Sequence, residues 1–292
     1  YFEGSYAMRG SSVYQQTLNL TISEKQKLRR LLEENYLPKN RVYRYNFFYD
    51  NCTTRARDII EKCIEGKVVY SEGKERLSFR DIVHQYTKGH EWDELGIDMC
   101  LGSEADKPID TRKQMFAPFY MLEAAKKATI VVGDSVRPLI LHEKKVVDVE
   151  PEDVREGFPL SPMVCVFILI GVTCFVGWLQ FKIRKIIWIW DLLLFGVQGL
   201  AGCVITFLVF FSTHPTVGSN WLILLLNPIP LIYLPVMVYR AIKGKKDYYH
   251  TINIVCLTSF MMIMPFIQQK FNVTVLPLAL CLLICSANHV LL

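Results

Sequence analysis

Cys52 stands in the run Tyr-Asp-Asn-Cys-Thr-Thr-Arg-Ala-Arg-Asp, residues 49–58, where an alternating aromatic pattern gives way to a helical one. A thiol at such a junction has three uses: nucleophile, half of a disulfide, or small apolar residue at a helix start. The helix follows from Cys52, Ala56, Ile59 and Cys63 at helical spacing, with Asp50 or Asn51 placed to cap it. In the first turn a thiol meets unpaired amides and the positive end of the helix dipole, which favours thiolate, and Arg55 and Arg57 add positive charge. Amides near Cys52 and Thr53 can hold the oxyanion formed when a thiolate attacks an ester or amide carbonyl, with Asn51 orienting the turn. A bond to Cys63 is excluded, because the intervening helix spans about 16 Å, whereas a disulfide tolerates under about 7 Å between Cα atoms. If Cys63 pairs with Cys100, Cys52 is the odd thiol in an oxidising compartment. On these residues alone, nucleophile and structural cysteine stay evenly matched.

The elements that must position Cys52 are legible on both sides of it. "SSVYQQTLNL" alternates with Tyr14, Gln16, Leu18 and Leu20 on one side and reads as a strand. Thr21 and Glu24 have capping-box spacing ahead of Leu28, Leu31 and Leu32, which predicts a helix. "RVYRYNFFYD" puts Tyr43, Tyr45, Phe47 and Tyr49 on one face of a predicted strand, as core residues or as lipid-facing ones. Ser78 and Asp81 announce a short helix, Pro118 begins another, and "ATIVV", "GDS" and "RPLILHEKKVV" read as a closing hairpin. Residues 1–148 are therefore expected to form one α+β domain, followed by an acidic, proline-containing linker over 149–161.

Beyond the linker, charge nearly vanishes. The chain of 292 residues is 51% hydrophobic overall, and the C-terminal part holds apolar runs at 162–181, 186–211, 221–239, 252–267 and 273–292. A helix needs about 20 apolar residues to cross the hydrocarbon, so about five transmembrane helices are predicted, the fourth being the shortest. Lys182, Arg184 and Lys185 follow the first run and Arg240, Lys243, Lys245 and Lys246 the third, whereas "STHPTVGSN" has no Lys or Arg. The positive-inside rule puts both basic loops in the cytoplasm and the N-terminal domain outside. These loops account for much of the formal charge of +5, so no nucleic-acid partner is expected. An exported domain needs a signal peptide or anchor, and the opening "YFEGSYAMRG" offers neither, so residues upstream of Tyr1 are expected.

His214 and Asn220 fall in the outer loop on the side of Cys52 and make a second candidate site, weighed against an ordinary loop. Asn227, Pro228 and Pro230 interrupt the following span, an arrangement that can line a cavity. Asp191, near the cytoplasmic end of the second span, is expected to reach water or the basic loop, in an anchoring or pairing role. Gly196, Gly199 and Gly202 predict close helix packing. His84 and His90 read as surface or structural residues rather than as a base. No His-Glu-x-x-His or paired Cys-x-x-Cys signature occurs, so neither a metal nor a cofactor is expected.

Several stretches together, "YRYNFFYDNCTTRARDII", "QQTLNL", "EWDELGIDMCLGSEAD", "MFAPFYMLEAA" and "FFSTHPTVGSNWLILLLNPIPL", resemble the Lnb-type lipoprotein N-acyltransferases, with Asn-Cys-Thr-Thr-Arg the most specific piece. The resemblance implies a circularly permuted papain-like thiol domain, anchored by membrane helices in a bacterial cytoplasmic membrane and facing the periplasm or exterior. It implies acyl transfer from a phospholipid donor to the α-amino group of a diacylglyceryl-cysteine lipoprotein, with Cys52 at the nucleophile's position. It also puts the catalytic His in a Gly-His segment upstream of the Cys, and no His precedes Cys52 here. The rival readings are a membrane-anchored papain-like thiol peptidase or amidase acting on the cell envelope, and a non-enzymatic lipoprotein-binding protein.

Overall fold

A computed structural model of the chain describes residues 2–73, 76–149 and 158–292. Most of the expected acidic linker, residues 150–157, lies outside the described residues. The chain divides into two compact units, one within Tyr1–Ile82 and Pro108–Arg155, the other within Val83–Lys107 and Glu156–Leu292.

The first unit begins with α1 (Phe2–Met8), β1 (Val13–Leu18) and α2 (Ile22–Tyr36). As the spacing predicts, α2 opens on a capping box: the Glu24 amide donates to the Thr21 hydroxyl and the Glu24 carboxylate accepts from the Thr21 amide. After α3 (Cys52–Cys63), β2 (Lys67–Val69) and α4 (Phe79–Thr87), the chain forms α5 (Glu91–Cys100) in the second unit. It then returns for α6 (Thr111–Gln114) and α7 (Pro118–Lys127). The hairpin β3 (Thr129–Val132) and β4 (Ser135–Pro138) turns at Gly133, whose φ of 56° suits glycine. Here the expected closing hairpin divides in two. Pro138 has no amide to extend the ladder, and β5 (Ile140–Val147) pairs instead with β1, Val13 opposite Val147 and Leu18 opposite Ile140.

Two clusters form the core of this unit. Cys63, Ile64, Ala125, Ala128, Ile130 and Leu139 are buried together, with Leu28 and Leu31 of α2 packed against them. The second is aromatic: Phe48 lies 4.5 Å from Phe79 and 5.0 Å from Phe116 between ring centroids. That position of Phe48 corrects the predicted strand over residues 41–50. The stretch is a loop with an isolated bridge between Asn46 and Asp50. The Asn46 side chain accepts from the amides of Phe48 and Tyr49 and bends the backbone, so the alternation breaks. Phe48 turns inward at 5% exposure, while Tyr45, Phe47 and Tyr49 stay exposed.

The second unit carries α8 (Pro162–Ile183), α9 (Trp188–Phe210), α10 (Pro215–Gly218), α11 (Ile229–Ile242), α12 (Tyr248–Ile263) and α13 (Val275–Leu291). Four segments are long and apolar enough to cross a membrane: Pro162–Ile183, Trp188–Phe210, Pro215–Ile242 and Tyr248–Phe266. The short one is α13, with 17 residues, rather than the fourth run. Its apolar run loses Val273 and Thr274 to a turn in which the Asn272 side chain accepts the Thr274 amide. The third segment is broken as the Asn-Pro-x-Pro sequence predicts, and regular helix resumes at Ile229 after Pro228.

Close packing holds at two of the three predicted glycines. A Cβ on Gly202 would fall 2.2 Å from the Asn227 carbonyl carbon, and one on Gly199 2.4 Å from the Leu231 Cβ, whereas Gly196 has 3.7 Å to its nearest neighbour. Asp191 has the expected pairing role but not the expected surroundings, since it reaches neither water nor the basic loop. It is fully buried, one carboxylate oxygen 2.8 Å from His289 Nε2 and the other accepting from the Cys285 thiol. The His289 ring stacks on His250 at 3.7 Å. Desolvating a carboxylate is costly enough that a helix inside the bundle must supply its partner.

Candidate functional site

Asn51 organises the turn that carries Cys52. It is the N-cap of α3, with an extended backbone, and its side-chain oxygen accepts from the Thr54 amide at 2.8 Å. The Asn51 amide in turn donates to the Thr54 hydroxyl at 2.8 Å, so the box is closed in both directions. Asn51 Nδ2 donates to the carbonyls of Phe47 and Phe116, each at 2.9 Å. One buried side chain thus joins the start of α3 to the aromatic loop and to the segment before α7.

Cys52 is the first residue of α3, and its side chain is exposed. Its Sγ lies 4.0 Å from the Thr53 hydroxyl. Among the described residues, no histidine or carboxylate hydrogen-bonds the thiol. The amides of Cys52 and Thr53 precede the first intrahelical bonds and lack an acceptor within the helix, which leaves donors on the thiol's own turn. All nine cysteines are free. Cys63, at the other end of α3, is buried and donates to the Ile60 carbonyl, and burial pushes its thiol pKa up. Cys100 belongs to the second unit, and its pKa is raised by burial as well.

The arginines beside Cys52 are committed elsewhere. Arg55 makes a bidentate pair with Asp50, at 2.6 and 2.9 Å, and its guanidinium lies 3.4 Å from the centre of the Tyr43 ring. Arg57 donates to Asp58 and to the Arg112 carbonyl. Each added positive charge is therefore largely offset by a carboxylate.

The other candidates lie in the second unit. His214 precedes α10 and is half-buried, with Nδ1 3.4 Å from the Ser212 hydroxyl. Asn220 is buried, and both ends of its amide are used: Nδ2 donates to the Met99 carbonyl, and Oδ1 accepts from the Leu222 amide and from Gln269. Those bonds give Asn220 a bridging job between the end of α5, the break before α11 and the loop before α13. His84, on α4, pairs at 2.8 Å with the buried Asp98, which also accepts from Asn272. Glu94 lies close to this pair, and the three side chains could together hold a cation. The same unit carries a partly open apolar pocket of about 470 Å³ lined by Met99, Leu169, Leu194, Gln198, Leu225 and Leu282.

Sequence reasoning missed the Phe48 anchor behind the Cys52 turn, and it expected a pairing role for Asp191 without finding His289 as the partner. A signal for the first was present in Asn46, a turn former placed within an otherwise strand-like run.

The Lnb N-terminal periplasmic domain matches residues 2–88, and the Lnb transmembrane domain matches residues 153–292. With the apolar helices, these matches make the chain a multi-pass membrane protein with a periplasmic domain. No curated protein and no solved structure matches it.

Proposed function

The chain belongs to the Lnb family of membrane lipoprotein-processing enzymes, and from that premise we propose that it is a lipoprotein N-acyltransferase with Cys52 as nucleophile. The observation that carries the reading is the exposed thiol at the first position of a helix whose cap is locked by Asn51 and Thr54. Direct attack of an amine on a glycerol ester is slow, and a thiolate divides that step in two.

Cys52 Sγ attacks the ester carbonyl of a phospholipid. The tetrahedral oxyanion forms beside the Cys52 and Thr53 amides, the carbon–oxygen bond breaks, and a lysophospholipid leaves with a proton. The α-amino group of the diacylglyceryl-cysteine then attacks the thioester, forms the amide and releases the thiol. The resemblance assigns the proton transfers to a His, acting as base and then as acid. Asn51, Thr53 and Arg55 serve as positioning residues for the turn.

The test uses the full-length protein with phospholipid and a lipopeptide bearing a free N-terminal amine. N-acylation, with a hydroxylamine-labile acyl adduct on Cys52 that Cys52→Ala abolishes, is the expected result. Amide cleavage of the lipopeptide would indicate a peptidase, binding without turnover a lipoprotein-binding protein, and full activity of Cys52→Ala would sink the proposal.

A further inference from the structure

The loop that precedes Cys52 in the chain has an unusual surface. From Tyr36 to Tyr49 the sequence "YLPKNRVYRYNFFY" contains no Asp or Glu, three cations and a series of large apolar side chains. Tyr36, Leu37, Val42, Tyr45, Phe47 and Tyr49 are all exposed, Val42 at 79% and Phe47 at 51%. Single exposed apolar residues are ordinary, but six in one short segment mark a binding surface.

Lys39, Arg41 and Arg44 are exposed as well and form no ion pair among the described residues. The loop is nonetheless held in place. Phe48 is buried in the aromatic cluster, Asn46 binds two backbone amides, and Asn51 holds the Phe47 carbonyl. The apolar side chains are therefore presented on a fixed base. Tyr45 lies near enough to Cys52 for the charge of a thiolate to act, after burial, to raise its phenol pKa.

We propose that the loop from Tyr36 to Tyr49 is a lipid-docking surface that rests in the headgroup layer of an anionic bilayer beside Cys52. Charge decides in favour of lipid over a peptide partner. Tyrosines and phenylalanines suit the boundary between hydrocarbon and water, while unpaired Lys and Arg suit phosphates and anionic headgroups. The same chain has four segments long and apolar enough to cross a membrane, so a bilayer is a surface it meets. The inference deepens the acyltransferase reading by naming where the donor lipid meets the outer domain, and its test is independent of catalysis.

The full chain carrying Cys52→Ala is placed in nanodiscs of mixed phosphatidylcholine and phosphatidylglycerol. It has p-benzoylphenylalanine in place of Val42, Tyr45 or Phe47, or of Val136 as an exposed control on β4. After irradiation, mass spectrometry is expected to find lipid adducts at the three loop positions about fivefold or more above those at Val136. Changing Lys39, Arg41 and Arg44 to Gln is expected to cut the phosphatidylglycerol adducts severalfold and to leave those in neutral nanodiscs nearly unchanged. Adduct levels no higher than at Val136, or capture only of an added lipoprotein peptide, would overturn the proposal. If Cys52→Ala keeps transfer activity while the adducts persist, the nucleophile reading fails and lipid docking stands.

Discussion

Replacing Asn51 by Ala tests whether one side chain sets the turn under Cys52. The substitution removes the acceptor for the Thr54 amide, a cap worth about 1 kcal/mol. It also leaves the Phe47 and Phe116 carbonyls without their donor. The Phe116 bond is buried and the Phe47 bond partly so, and an unpaired buried acceptor costs about 1–3 kcal/mol. Water can reach the second site, so the expected loss is about 2–4 kcal/mol in all. Asn51→Ser restores the cap but not the two carbonyl bonds, and it should recover about 1 kcal/mol of the loss. Because the chain has two compact units, a single unfolding free energy for the whole molecule is not defined. The suitable measurement is pulse proteolysis across a urea series on the full chain in mild detergent, scoring cleavage within residues 2–82 and 108–149. A loss below about 1 kcal/mol for Asn51→Ala, or no difference between Ala and Ser, would refute the assignment.

Two further expectations test the scaffold. Burial by itself would raise the Glu24 pKa, but the amides of Thr21 and Glu65 and the Arg137 guanidinium outweigh it and hold the carboxyl below its usual value. Its contribution is therefore fully present above the ordinary glutamate range, about pH 4.3, and is lost as pH falls through the lowered value. Glu24→Gln should cost about 1.5–3 kcal/mol at pH 7, and the gap from the parent should narrow steadily below about pH 4 in the same proteolysis assay. In the membrane unit, Gly202→Ala should lower the thermal stability in detergent markedly, because its Cβ meets the Asn227 backbone at 2.2 Å, while Gly196→Ala should be neutral or slightly stabilising. Equal melting temperatures for the two variants would contradict the helix contact.

The local signals in the sequence were dependable where a short-range rule sufficed. Thr21 with Glu24, Ser78 with Asp81 and Asn51 ahead of Cys52 all cap helices, because a cap is settled within four residues. The membrane spans were equally plain, since about 20 apolar residues have few alternatives, and the basic loops gave their orientation. Tertiary structure decided what depended on partners distant in sequence. The alternating aromatics around Phe48 suited a strand, but Phe79 and Phe116 provided a buried site for Phe48, while Tyr45, Phe47 and Tyr49 stayed exposed. Asp191 found its partner on a helix nearly a hundred residues away, and the charge of Arg55 was offset by Asp50. The identity and helical position of Cys52 were written in its own neighbourhood. Its exposure, the rigidity of its turn and the surface beside it depended on which distant side chains were buried with Phe48 and Asn51.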